Sequence, residues 1–182
     1  MADMRIYVAA TLPLLSRARA SGQVTDGPTT AYAVTPGLRE WYVAGDLDEL
    51  EYAAMGAAAR ASLGLLAEDP QAPRRRVVLT ADVADGGVRP VLDGGRATIG
   101  QVTVAEPVPW SALASLHIDG REAEPVVGDA ANAVQAASDG DEDAQFAVDS
   151  AEDESLLWYA VQEADDLLQG DSTEPGSGPA ES

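Results

Sequence analysis

Three aspartates at alternating positions form the pattern in this chain that most resembles a metal site. Asp139, Asp141 and Asp143 match the first, third and fifth positions of an EF-hand calcium loop. The match then fails, because Ala144 stands where the sharp turn needs glycine and Ser150 stands where the bidentate glutamate belongs. We therefore favour a solvated acidic loop over a tight calcium site and predict no metal ligand; weak association of a divalent cation with these carboxylates is the alternative left open.

His117 is the only histidine and lies between two apolar residues of a predicted strand. Its side chain should point away from theirs, because successive strand residues face opposite sides of a sheet. A general base needs a partner within hydrogen-bond reach. Asp119 is two residues away on the same face, but no nucleophile is indicated. We predict a structural or exposed histidine and no catalytic residue.

Arg39, Trp41 and Tyr42 are the side chains most typical of a protein interface. Arginine and large aromatic residues supply much of the binding energy at such surfaces, and these three fall within one short predicted helix. The competing interpretation is core packing, because the chain has only one Phe, five Tyr and three Trp. These three residues and the three aspartates above are the predicted binding residues.

Charge divides the chain at residue 121. Residues 122–182, the acidic third, contain 17 of the 31 acidic residues and no Arg, Lys or His. Residues 1–121 carry all 11 arginines. Nucleic acids and anionic membranes are polyanions, so they are repelled by such a segment and are not predicted as direct partners. Charge complementarity favours a protein partner with a basic surface.

Two missing residue types exclude several kinds of chemistry. The chain has no cysteine, which excludes disulfides, thiolate catalysis and zinc–thiolate sites. It has no lysine either, which excludes Schiff-base catalysis and a phosphate-binding loop lysine. The one basic run, residues 74–76, is suited to an internal contact with the acidic C-terminal helices at least as well as to phosphate or nucleic acid. We predict no cofactor.

Periodicity and punctuation predict strands at residues 5–9, 30–34, 77–83, 98–105 and 115–118, the last at a sheet edge. Thr11 and Asp46 are predicted helix caps. The helix after Asp46 has one apolar stripe over five turns. In the acidic third, helices are predicted at 124–137 and 157–168, the second after a capping pattern that begins at Ser150.

These elements predict an α/β or α+β fold, namely a two-layer domain with a four- to five-stranded mixed sheet plus acidic C-terminal helices. Residues 1–121 should form the body. Residues 122–169 should form an acidic helical extension packed on it. Residues 170–182 should be disordered, because they lack apolar anchors.

The N-terminal body resembles a family of uncharacterised actinobacterial proteins. The resemblance lies in residues 5–15, 31–42, 48–53 and 74–79, and in Pro109-Trp110. It implies a soluble cytoplasmic protein from an actinobacterium. The family has no assigned activity, so the resemblance implies no catalytic residue.

Three functions fit the sequence. The leading one is a non-enzymatic protein-binding or regulatory module whose acidic third meets a basic partner surface. The alternative is a small enzyme using carboxylate and arginine chemistry, or an oxygen-ligated divalent metal. That enzyme needs one cleft that joins distant residues, for example Asp46 or Glu49 with Arg39 and His117. In the third, the acids serve only solubility, and function lies in the N-terminal body.

Overall fold

A seven-stranded sheet with helices on both faces organises the chain. The computed structural model describes residues 3–41, 46–91 and 100–172. The strands are β1 (Asp3–Ala10), β2 (Gln23–Thr25), β3 (Thr29–Tyr32), β4 (Val77–Ala84), β5 (Val88–Pro90), β6 (Gln101–Val104), β7 (Val108–Pro109), β8 (Leu113–Asp119) and β9 (Leu156–Tyr159). The helices are α1 (Leu12–Ser21), α2 (Pro36–Trp41), α3 (Leu47–Glu68), α4 (Glu124–Ser138), α5 (Glu142–Glu152) and α6 (Ala164–Ser172).

The sheet has the strand order β5–β6–β3–β1–β4–β8–β9, and β2 pairs with β7 separately. The expected mixture of helices and strands is confirmed, but the four- to five-stranded mixed sheet is wrong. Every pairing in the large sheet is antiparallel. The reason is that α3 carries the chain from β3 to β4, which lie on opposite sides of β1. These two strands run parallel but do not pair.

The sheet buries apolar side chains on both faces, because its central strands alternate between two cores. One face packs against α1 and contributes Ile6, Val8, Leu79, Leu116 and Ile118. The other face packs against α3, whose Leu50, Ala54 and Ala58 contact Tyr7 and Val78. The small residues of α3 let that helix lie close to the sheet.

Polar groups fix where α1 and α3 begin and how α3 sits. The Thr11 hydroxyl accepts the Leu14 N–H at 3.4 Å, and the Asp46 carboxylate accepts the Glu49 N–H at 2.9 Å, so both predicted caps are confirmed. The buried Ser62 hydroxyl donates to the Ala10 carbonyl at 2.7 Å. The same oxygen accepts the Val77 N–H at 3.2 Å, which ties α3 to the ends of β1 and β4.

The acidic third contributes helices α4, α5 and α6 and strand β9. Helices α4 and α5 form a hairpin that packs on the C-terminal half of α3 through a cluster of mainly alanine side chains. After α5, the chain enters β9 and pairs with β8. Helix α6 then crosses to the α1 face of the sheet, where Ala164 joins the core.

Two predictions for this region are wrong. The helix predicted at 157–168 is instead β9, a short 3₁₀ turn and α6. Ser150 does not begin a helix, because it lies inside α5 and donates to the Phe146 carbonyl. A further prediction, outside this region, is also wrong. The strand predicted at a sheet edge is β8, and it is not an edge strand because β9 pairs with its outer side. Most of the tail predicted at 170–182 lies outside the described residues.

Candidate binding surface

A groove of about 940 Å³ separates α3 from the chain that leads out of α5 into β9. Apolar and charged side chains from both sides line it. Its walls include Tyr52 and Met55 from α3 and Leu156 from β9. Because one wall belongs to the acidic third and the other to the body, the groove lies where these parts meet.

A buried ion pair lies beside this groove. Arg76 and Asp119 have side chains only 3% and 0% exposed, and each Asp119 oxygen accepts an Arg76 guanidinium N–H at 2.8 Å. The Asp119 carboxylate also accepts the Arg76 backbone N–H at 2.7 Å. The Arg76 guanidinium also donates to the Glu154 carbonyl at 3.0 Å. The pair therefore holds the groove wall at Glu154 in place through charge-assisted hydrogen bonds.

The rest of the arginine run is also used inside the protein. Arg74 donates to the Leu66 carbonyl in the last turn of α3 at 2.9 Å and to the Ala72 carbonyl beyond that helix at 3.0 Å. Arg75 donates to the Asp119 carbonyl at 2.8 Å. These partners lie in the body, apart from the Glu154 carbonyl after α5, and not in the acidic C-terminal helices with which the sequence suggested a contact.

Three other arginines reach from the body to the acidic third. Arg60 lies 3.4 Å from Glu152, and Arg19 lies 3.0 Å from Asp165. Arg121 donates to the Gly170 carbonyl at 2.7 Å. All three contacts are exposed, so water and salt screen them and each adds little stability.

Large apolar side chains are exposed around this region. Tyr52 is 69% exposed on the groove wall, and Trp158 is 63% exposed on β9. Trp158 is the cross-strand partner of His117, so its ring lies on the sheet face that α3 crosses. Phe146 on α5 is 74% exposed. Exposed aromatic residues beside a charged rim are typical of protein-binding surfaces.

His117 hydrogen-bonds to a neighbour on its own strand. The Ser115 hydroxyl and His117 Nε2 lie 3.1 Å apart. Burial lowers the pKa of His117 below its usual range, and the positive charge of Arg5 lowers it further. Asp119, the partner considered from the sequence, contacts Arg76 instead. Asp119 therefore does not orient the His117 imidazole.

Arg39 lies in a different cleft, of about 320 Å³, on the other side of α3. The cleft also contains Arg5, Tyr7 and Glu51. Burial, and secondarily the negative charge of Glu51, raises the pKa of Tyr7 to about 12. The other two predicted aromatic residues cannot be added to this site: Tyr42 and the side chain of Trp41 lie outside the described residues.

The three aspartates lie at the turn of the α4–α5 hairpin, and all are exposed. The Asp141 carboxylate accepts the Ala144 N–H at 2.9 Å and so caps α5. Gly140 has φ of +100°, a conformation that favours glycine and lets the chain reverse between the helices. Over residues 3–41, 46–91 and 100–172, no group of three or more potential ligands could hold a metal ion.

The residues proposed for an enzyme cleft are not brought together. Glu49 lines the groove beside α3, Arg39 lines the cleft on the opposite side, and Asp46 caps the helix between them. His117 is on β8 and belongs to neither lining.

Sequence reasoning missed β9 and its exposed Trp158. All four residues of β9 are apolar, so the sequence shows no alternation of polar and apolar residues there that would indicate a strand.

The fold and surface define an α+β protein with an antiparallel sheet and an acidic groove beside it. The chain belongs to a family of unknown function, DUF6912, whose model matches residues 4–168. The match therefore spans both the body and the acidic segment through most of α6. No curated protein and no solved structure matches the chain. Among the described helices, none combines the length and apolar character needed to cross a membrane.

Proposed function

We propose that this protein is a non-enzymatic binding module whose acidic C-terminal third meets a basic surface on a partner protein. In this proposal residues 1–121 are the body, and residues 122–169 are the extension that binds. A cytoplasmic location completes the proposal, as the resemblance of the N-terminal body implies. The observation that carries it is the coincidence of exposed aromatic side chains with a segment that has no basic residue.

Internal ion pairs account for few of the acids. In the part of the chain that the structure describes, Glu152 and Asp165 form side-chain ion pairs with arginines of the body. The carboxylates of the hairpin turn, Asp139, Glu142 and Asp143, are exposed and project from α4 and α5. Such charges raise the association rate and the selectivity for a basic partner. Phe146, on the same hairpin, adds apolar surface to the contact.

The test compares capture of partners at low and high salt by three tagged proteins. The first is the natural chain. The second has four exposed acids of the extension neutralised, and the third has four exposed acids of the body neutralised in the same way. The extension set is Asp139→Asn, Glu142→Gln, Asp143→Asn and Asp153→Asn; the body set is Asp26→Asn, Glu68→Gln, Asp85→Asn and Glu106→Gln.

We expect a partner that the natural chain and the body variant capture at low salt, and that both lose at high salt. The extension variant should capture much less of it. If both variants captured every partner equally well, the acidic third would not be the binding surface and the proposal would be wrong. Asp141 is left unchanged, because its carboxylate caps α5.

A further inference from the structure

Strand β9 ends the large sheet, and no other strand of the described residues pairs with its outer side. An edge strand presents unpaired backbone N–H and C=O groups that can pair with another extended chain. Which residues of β9 present these groups follows from the hydrogen bonds of β8. The alternation of an antiparallel ladder then extends from β8 to β9.

The direction of the β8 backbone is set by its last residue. The Asp119 N–H donates to the Arg76 carbonyl, on the β4 side of β8. Neighbouring residues of an antiparallel strand direct their backbone groups to opposite sides. Ile118 and Leu116 therefore direct theirs toward β9.

The Cα partners of these two residues are Leu157 and Tyr159. Their backbone groups must point inward, toward β8, so those of Leu156 and Trp158 point outward. The outward direction resumes at Ala160, whose N–H already donates to the Glu163 carboxylate at 2.7 Å. The open edge is thus a short segment centred on Leu156 and Trp158.

This edge lacks the protection that the opposite edge has. The opposite edge strand, β5, ends at Pro90, which has no N–H to offer. Strand β9 contains no proline and no charged residue, and no bulge interrupts its pairing with β8. Leu157 is 43% exposed and Trp158 is 63% exposed, so apolar side chains are available on both faces of the edge.

Acidic residues flank the open edge on both sides. Glu152, Asp153 and Glu154 precede β9, and Glu163, Asp165 and Asp166 follow it. Of these six, Glu152 and Asp165 pair with arginines of the body. A strand added by a second copy of this chain would bring its own acids close to these and would be repelled. A strand with basic ends would be attracted.

We propose that β9 binds an extended segment of a partner protein as an additional strand. That segment has apolar residues at alternate positions and arginine or lysine at its ends. Its backbone pairs with Leu156 and Trp158, its apolar side chains contact Trp158 and Leu157, and its basic ends meet the flanking acids. This inference rests on the proposed function and assigns a site and a partner chemistry to it.

The probe is a library of random linear peptides of about ten residues, long enough for one strand. The library is selected on the full-length chain, and enriched peptides are measured against two variants. Trp158→Pro removes the outward N–H, and proline is tolerated at such an edge position. Trp158→Thr removes the same aromatic ring but keeps the N–H and a good strand-forming residue. Circular dichroism and thermal unfolding confirm that both variants fold.

We expect enriched peptides with alternating apolar residues and basic ends. Trp158→Pro should bind them at least about tenfold more weakly than Trp158→Thr, because a backbone hydrogen bond is lost. Amide resonances of Leu156 and Trp158 should shift when the peptide binds the natural chain. Peptides that bound both variants equally, without those shifts, would overturn the inference.

The remaining outcomes separate this inference from the proposed function. Basic peptides that bind both variants equally but bind the acid-neutralised extension weakly would leave the proposed function standing and remove β9 as its site. Enrichment of peptides without basic residues would contradict both. A dimer in sedimentation experiments that Trp158→Pro converts to a monomer would show that a second copy occupies the edge, which overturns the proposed partner chemistry.

Discussion

The sheet and the α4–α5 hairpin are stabilised by different kinds of residue. The sheet core contains large apolar side chains such as Leu79 and Ile118, and Asp119 at the end of β8 forms a fully buried ion pair. The hairpin core is mostly alanine, and Arg60 and Glu152 form an exposed pair between α3 and α5. The sheet should therefore be sensitive to lost contacts, whereas the hairpin should be sensitive to added volume.

The largest expected effect is at the buried ion pair. Asp119→Ala leaves the Arg76 guanidinium buried without its counter-charge, and we expect a loss of about 3–5 kcal/mol in the free energy of unfolding. Chemical denaturation measures it. Glu152→Ala, which breaks an exposed pair, is the matched control and should cost less than about 1 kcal/mol. Equal costs would show that burial does not distinguish the two pairs.

Truncation in the sheet core should have the next largest effect. Leu79→Ala removes a side chain that is 2% exposed, so we expect a loss of about 2–5 kcal/mol from lost burial and the resulting cavity. Leu157→Ala on β9 is the control, and its 43% exposed side chain should make it much milder. Thermal unfolding of the two variants gives the comparison, which a milder Leu79→Ala would reverse.

Alkaline pH should weaken the sheet through Tyr7. Its pKa is raised from 10 to about 12 in the folded protein, so the unfolded chain ionises first as the pH rises. The contribution of Tyr7 to the free energy of unfolding is fully present below pH 10 and is lost, by roughly 2–3 kcal/mol, as the pH rises through 12. Tyr7→Phe should remove that part of the decline, and Tyr52→Phe, at an exposed site, should not. Identical pH profiles for the two variants would contradict the assignment.

Enlarging the hairpin core should have a smaller effect. Ala130 is fully buried, and Ala130→Leu forces α4 and its neighbours apart at a cost of about 1–3 kcal/mol. Ala20→Leu, on the exposed side of α1, adds the same volume to a helix without crowding it. Urea midpoints of the two variants should differ clearly. If Ala130→Leu were neutral, the alanine cluster would be loosely packed.

The smallest expected effect is at Arg60. Arg60→Gln removes the exposed pair with Glu152 and should change stability by less than about 1 kcal/mol, with no remaining dependence on salt at this pair. Unfolding at low and high ionic strength measures both quantities. A large loss at either ionic strength would show that this contact holds the hairpin to α3 more firmly than its exposure suggests.

The sequence predicted the centre of the sheet better than its edges. The five predicted strands correspond to β1, β3, β4, β6 and β8, which are contiguous in the sheet. The missed strands of that sheet, β5 and β9, have three and four residues and lie at its two edges. So short a segment shows no periodicity. Leu157 also fits the apolar spacing of a helix, which is why β9 was mistaken for one.

The candidate site was only partly accessible from the sequence. Acidic charge could be counted from the sequence, but which aromatic residues are exposed and which chain forms the groove wall opposite α3 depend on the fold. The roles of Arg76 and Asp119 also depend on folding, because 43 residues separate them. The sequence shows that Asp119 lies two residues from His117 on one strand. It does not show that the Asp119 carboxylate pairs with Arg76, which directly precedes β4.

Ser62 gives α3 a mechanical role. Its single hydroxyl bonds to the end of β1 and to the start of β4, so α3 cannot slide along the sheet without losing both bonds together. These two bonds therefore keep the helix in a fixed position between the groove that contains Tyr52 and the cleft that contains Arg39. Widening of the groove to admit a partner would therefore displace the acidic wall rather than the helix, and it would break the hydrogen bond from Arg76 to the Glu154 carbonyl.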